Sequence, residues 1–414
     1  MDPGSRTLAL RAEVLALITA EGPPPMPSGE GREEWVDRLA IAGSRLHPWL
    51  AYQLKRTGTL STVPEPTRGI LQAATRASAV RELRRRAQFV ECAGALDDAG
   101  IPFVVLKGMA LSYLVYPGPT LRPMSDIDLW VELPRREDAL RILHGVGWRI
   151  PERYAVHALR REETVLLELP GAASIVELHT QPLSIARDVA DGPAVWQRCV
   201  SRVVAGHSVR VCSASDQLVH LAIHLARKHG FHDGLLGLLD LTLCAGQVVG
   251  DDAWRTLGAD HRARRVTPWT ALAFALARDL LRAPIPSAYF EAAGAAKPSP
   301  DLIRAAVEQL WDREPTSRLG VDGLVAAGKR GAFGTIAAYI RFFYAAPGAD
   351  GRPWWRALGP RLRYDVTYRA SRYLKALRNG EFRPERVAHR ARMLRERDAL
   401  IAAIERPPAP SAPR

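Results

Sequence analysis

Apolar residues change their spacing along this chain, and the change predicts its elements. Trp35, Leu39, Ile41, Leu46, Trp49 and Leu50 recur at helical intervals. Pro23-Pro24-Pro25, with Pro27 and Gly29, breaks the chain ahead of them. A helix over 80–96 carries Arg81, Arg84, Arg85 and Arg86, which read as a solvated face, with a phosphate contact as the alternative. At Gly100 the texture switches. Ile101-Pro102-Phe103-Val104-Val105-Leu106 is a short β-branched run, a buried strand ended by Lys107-Gly108. Met109 to Tyr116 then reads as a helix, stopped by Pro117-Gly118-Pro119. A strand follows over 125–132, and Pro134 opens a helix that ends before Gly147. Strands over 164–169 and 174–179 flank a turn at Pro170-Gly171-Ala172-Ala173. After Pro182 the pattern returns to helix: 214–228, with Ser213 or Ser215 as N-cap, then 235–248 and 268–281.

These shifts divide the chain into six parts. They are a helical N-terminal region (1–95), a mixed α/β unit around one sheet (96–185) and a helical domain packing on it (186–283). An Ala-, Pro- and Gly-rich linker (284–300), a basic helical C-terminal region (301–406) and a disordered-looking tail (407–414) complete it. The fold class expected is α+β, a mixed sheet flanked by helices between large helical regions. At 47% hydrophobic and 24% charged residues, the 414-residue chain reads as soluble and globular. No apolar run is long enough to cross a membrane; the best, 235–249, carries Asp240. No signal peptide is evident, and four cysteines without a Cys-x-x-Cys pair suit small buried hydrophobes in a reducing cytoplasm. The net charge of +13 suits an anionic partner, but Arg-rich composition accounts for it equally, and much of the excess falls after residue 350.

The chemistry begins at Ser125-Asp126-Ile127-Asp128-Leu129. Strand alternation points Asp126 and Asp128 to one face, where two acids repel unless a cation lies between them. Such a pair suits metal-dependent phosphoryl or nucleotidyl transfer, with one or two Mg²⁺ ions. A third carboxylate from a neighbouring strand is expected. Glu177, flanked by Val176 and Leu178, is preferred over Glu168, which lies beside the turn and is more easily solvated. Phosphates need donors: Lys107-Gly108-Met109 offers a strand end at a helix start, and Arg122 offers a second clamp. His179 shares the face of Glu177 and could touch nucleotide or metal, or make a structural hydrogen bond.

Several of these elements occur in one order. Leu106-Lys107-Gly108, Tyr116-Pro117, Arg122, Ser125-Asp126-Ile127-Asp128-Leu129 and Glu177-Leu178-His179 resemble the uncharacterised nucleotidyltransferase family of the polymerase-β-like superfamily. Asp216-Gln217-Leu218, His220 through His224 and Leu238-Leu239-Asp240-Leu241 resemble its helical half, so the likeness spans roughly 35–285. The resemblance implies a nucleotidyltransferase fold holding Mg-NTP. Asp126 and Asp128 match the metal-binding pair, Glu177 the third carboxylate and Gly108 the phosphate-loop glycine. The superfamily's Gly-Ser is Gly108-Met109 here, and the gap from Gly108 to Asp126 is longer than in compact members. Lys107, Gly108, Met109, Arg122, Ser125 and His179 are the expected nucleotide contacts.

His220 and His224 lie one turn apart on one helix. No metalloprotease Glu and no cysteine joins them, so they are expected to line the acceptor cleft rather than hold zinc. Asp240 anchors a helix start or an arginine, or joins that cleft to serve the acceptor. The aromatic and basic stretch 354–373 has the composition of a nucleic-acid surface, though an amphipathic helix explains it better. The function expected is transfer of NMP from an NTP, ATP first among them, to an unidentified small molecule, peptide or protein, with release of pyrophosphate. The alternative is a catalytically silent binding protein on the same scaffold that takes RNA through its C-terminal helices.

Overall fold

The computed structural model describes residues 3–19, 32–151, 164–172, 174–182, 192–232, 234–311 and a few positions between 385 and 404. A six-stranded mixed sheet lies at its centre, in the order β3-β4-β2-β1-β6-β5. The strands are β1 (Val104–Val105), β2 (Asp126–Trp130), β3 (Val165–Leu167), β4 (Ile175–His179), β5 (Val200–Val204) and β6 (His207–Val211). β2 pairs antiparallel with β1 and parallel with β4, so the acid-bearing strand is central.

Alternation gives this sheet two unlike faces. Ile127, Leu129, Val176, Leu178, Val105 and Val211 point to one side and are fully covered. There they pack on Phe89, Cys92, Ala93 and Leu96 of the long Thr67–Asp98 helix and on Ala139, Leu140 and Leu143 of the Arg136–Gly145 helix. The other face carries Asp126, Asp128, Glu177 and His179, beside the Val104, Trp130, Val195 and Cys212 cluster. A second, larger core is wholly helical. It joins the Arg32–Ala42 and His47–Arg56 helices to the Ala214–Ile223, Leu235–Ala245 and Thr267–Leu281 helices. The ends of the chain's first half and its second half thus share one interior. Ser213 caps the Ala214–Ile223 helix, its Oγ accepting from the Asp216 N–H at 3.2 Å.

Three expectations change. The stretch after Pro182 holds β5 and β6, not helix alone. Ala205 and Gly206, at φ +54° and +91°, make the two-residue turn that a twisted hairpin favours. β5 escaped the pattern because Ser201, Arg202 and Val203 are all exposed, so the edge strand has no apolar alternation. Residues 284–300 are no free linker. The Ser287–Ala292 helix packs on the Asp251–Ala263 helix at Gly258, where a Cβ would lie 2.5 Å from the Tyr289 carbonyl. The Tyr289 hydroxyl lies 2.8 Å from both His261 Nδ1 and Thr270 Oγ1, and it is buried with Ile285 and Ala288. Pro and Gly there punctuate tight packing rather than release it. Arg85, read with its neighbours as solvated, is buried. It donates to Glu82 at 2.7 Å, to the Met124 carbonyl at 2.6 Å and to Ser174 at 3.2 Å. Its place in an arginine run masked that role. The Pro-rich break at 23–29, the aromatic–basic stretch 354–373 and the 407–414 tail lie outside the described residues.

Candidate active site

The carboxylates meet through strand register. Asp128 of β2 is paired across the ladder with Glu177 of β4, and Asp126 stands two residues earlier on the same face. Asp128 is buried, and Asp126 and Glu177 are half-buried. The nearest cation is Lys107. Its φ of +45°, rare for a residue with a Cβ, turns the chain from β1 into the Lys107–Leu114 helix. Its Nζ donates to Asp128 Oδ1 at 2.5 Å and lies 3.7 Å from Glu177 Oε2. His179 sits beneath: its Nε2 is 2.8 Å from Asp128 Oδ1 and 3.6 Å from Glu177 Oε2, and its Nδ1 is 3.0 Å from Thr164 Oγ1.

These contacts sort the charges. Burial would raise the Asp128 pKa, but the Lys107 ammonium and the His179 hydrogen bond outweigh it and hold the carboxyl below the usual range. Glu177 moves the other way: burial first, then the Asp128 charge, push it up to about 7. Asp126 rises for the same two reasons. Burial, then the Lys107 charge, lower the His179 pKa, which keeps the ring neutral. Three carboxylates therefore face one ammonium, and two of them resist ionising together.

Asp128, Glu177 and His179 each bring one ligand atom within 4.8 Å of the others. Their carboxylate oxygens, with Asp126 on the same strand face, suit a hard divalent cation. The Lys107 ammonium in their midst shows that the pocket already favours positive charge.

Arg122 does not stand free as a clamp. Its Nε and Nη2 donate to the two oxygens of Asp240, each at 2.7 Å, and the Tyr116 hydroxyl donates to the same carboxylate at 2.7 Å. Asp240 thereby anchors an arginine while also lining the cleft. Gly108 has a structural reason as well: a Cβ at this position would collide with Arg122 Nη1. Met109 turns its side chain into the sheet's apolar core, leaving only its backbone to face the helix start.

Above the carboxylates lies a cleft of about 740 Å³ between the sheet and the Ala214–Ile223 and Leu235–Ala245 helices. Lys107, Gly108, Arg122, Ser125, Asp126, Asp128 and Glu177 line one side, and His220, His224 and Asp240 line the other. His179 lies beneath Asp128, outside this lining. The helical wall contains a π-helical turn, His224–Lys228, which brings His229 Nε2 to 3.3 Å from His224 Nε2. Burial pushes the His220 pKa down to about 3 and lowers that of His224, so both stay neutral near pH 7.

Arg45 and Lys228, which the sequence did not single out, also line the cleft, with His229 beside His224 and with Arg81, read first as solvated and second as a phosphate contact. The run at 81–86 held a signal for Arg81; Ser44-Arg45-Leu46 carries none.

Residues 32–282 match the family described as uncharacterised nucleotidyltransferase. Two solved structures of the antibiotic-resistance factor ANT(2'')-Ia are similar to part of the chain. The solution structure is 19% identical, with a TM-score of 0.34, over 44% of this chain and 94% of that one. The crystal structure, in complex with adenylyl-2''-tobramycin, is 18% identical, with a TM-score of 0.34, over 44% and 98%. No curated protein matches.

Proposed function

The chain belongs to the uncharacterised nucleotidyltransferase family, and from that premise we propose that it moves an NMP group from a magnesium-bound NTP to an acceptor. ATP is the first candidate donor. A hydroxyl, phosphate or amine of the acceptor attacks the α-phosphorus, and pyrophosphate leaves. The observation that carries this reading is the register pairing of Asp128 with Glu177 on the face that also holds Asp126. Asp126, Asp128 and Glu177 would hold the metal, which when bound offsets the negative charge of the phosphates and of the departing pyrophosphate.

The chain's own groups have separable tasks. The Lys107–Leu114 helix begins at the cleft, where Lys107 and Gly108 are lining residues, a position suited to phosphate. Lys107, holding Asp128 before the metal arrives, is near enough to turn its charge to the nucleotide. Glu177, half-buried beside Asp128, is placed to draw a proton from the acceptor. Neutral His220 and His224 on the facing helices line the side left for that acceptor.

The test is calorimetric titration of the four NTPs, with and without Mg²⁺, into the wild type and an Asp126→Ala/Asp128→Ala variant. Magnesium-dependent binding of an NTP that disappears in the folded variant is expected. Equal binding by both proteins would overturn the assignment of the acids.

A further inference from the structure

Arg122 is committed to Asp240, so any guanidinium grip on the phosphates, beyond the Lys107 ammonium, must come from other arginines. Two arginines line the cleft and make no hydrogen bond or ion pair among the described residues: Arg45 and Arg81. Arg45 lies in the Ser44–Leu46 turn ahead of the His47–Arg56 helix. Its charge bears on both Asp126 and Tyr116, which places it over the Arg122 side of the site. Arg81 lies on the Thr67–Asp98 helix, one turn before Arg85 and so on the same helical face. Arg85 fixes that face against the strand entry through the Met124 carbonyl, and Met124 itself lines the cleft. Both arginines thus come from helical segments that precede the sheet, and they line one cleft with Lys107 and Gly108 at the start of the Lys107–Leu114 helix.

We propose that Arg45 and Arg81 form a two-armed clamp for the outer phosphates of a bound triphosphate. The proposal rests on the nucleotidyl-transfer reading but concerns residues that reading does not use. Planar guanidinium groups suit phosphate oxygens because each can donate two parallel hydrogen bonds. Exposed, and unpaired among the described residues, they break no contact seen there to close on an anion. The clamp also supplies what Gly108-Met109 lacks, since no hydroxyl follows the glycine. It assigns a function to the helical region before the sheet: without residues 45 and 81 the cleft keeps its acids and holds the leaving pyrophosphate more weakly.

The test uses the full chain, Mg²⁺, and four probes: ATP, ADP, AMP and inorganic tripolyphosphate. The variants are Arg45→Ala, Arg81→Ala, their combination, and Arg141→Ala as a control. Arg141 lies on the Arg136–Gly145 helix across the sheet, paired among the described residues with Asp138 at the surface. The wild type is expected to prefer ATP over AMP. Each single variant should weaken ATP and tripolyphosphate about tenfold, and the pair about a hundredfold, with AMP and the melting temperature unchanged. Added salt should narrow the gap between wild type and variants. ATP and tripolyphosphate affinities that survive in the double variant would overturn the clamp while leaving nucleotidyl transfer standing. Tripolyphosphate bound through both arginines by a protein that binds no NTP would uphold the clamp and sink the nucleotide reading. No binding of either probe to the wild type would overturn both.

Discussion

Two groups of buried charge lie within one cleft, and the fold treats them differently. At Arg122 and Asp240 every charge is matched: two guanidinium nitrogens meet two carboxylate oxygens, and Tyr116 fills a remaining lone pair. At Asp126, Asp128 and Glu177 three carboxylates share one ammonium and a neutral imidazole. The first arrangement is complete without a ligand and holds the sheet to the helical wall. The second is left with surplus negative charge, and burial, then the Asp128 charge, push the Glu177 carboxyl up. A balanced pair serves structure, whereas an unbalanced cluster awaits a cation.

The largest effect should come from breaking the unbalanced side. Asp126→Ala is expected to lower transfer of label from an α-labelled NTP by on the order of 10³-fold or more, as loss of a charge-stabilising group at the reacting centre does. Its urea unfolding midpoint should not fall, because one of three mutually repelling acids has gone. Retained transfer in that folded variant would sink the assignment. On the balanced side the outcome reverses. Asp240→Ala leaves Arg122 buried without its partner and should cost ~3–5 kcal/mol of stability in urea titration.

Smaller changes sharpen the contrast. Gly108→Ala pushes a methyl into the Arg122 guanidinium, which Asp240 holds in place, and should cost ~1–3 kcal/mol. The same substitution in an Asp240→Ala background should cost less, since the guanidinium can then move away. Glu177→Gln acts in the stabilising direction, and only where the carboxylate would ionise. Its folded pKa of about 7 lies above the ordinary 4.5, so folding favours the protonated form. The penalty is absent below the unfolded pKa and complete above the folded one. Metal-free Glu177→Gln should therefore gain ~1–3 kcal/mol at pH 8 and nothing at pH 4. Thermal melts at both pH values check it, and a gain at pH 4 as large as that at pH 8 would contradict the charge argument.

The sequence made the unbalanced side more legible than the balanced one. Asp126 and Asp128 stand two apart in an apolar strand, and Glu177 repeats the same signature in β4; alternation and burial suffice to align them. The partnership of Arg122 with Asp240 spans 118 positions, and no local periodicity encodes it. Arg45 was harder still, because a lone exposed arginine carries no local mark of what it faces, whereas Arg81 stood in a run that offered a phosphate contact as an alternative. The sheet was read for four of its six strands. Polar β5 has no alternation to detect, and β6 beside it lay in a stretch whose flanks are strongly helical. Proline and glycine in 284–300 signal a linker by composition, yet Ile285 and Tyr289 within it fill a helical interface that composition does not reveal.

The claim that surplus charge marks a cation site is tested most directly by Mn²⁺ binding, followed by electron paramagnetic resonance with and without ATP. The account predicts Mn²⁺ held by the wild type, displaced by excess Mg²⁺, and lost in Asp126→Ala/Asp128→Ala while that variant melts no lower than the wild type. Mn²⁺ bound equally by the variant, or not bound by the wild type even with ATP present, would contradict it.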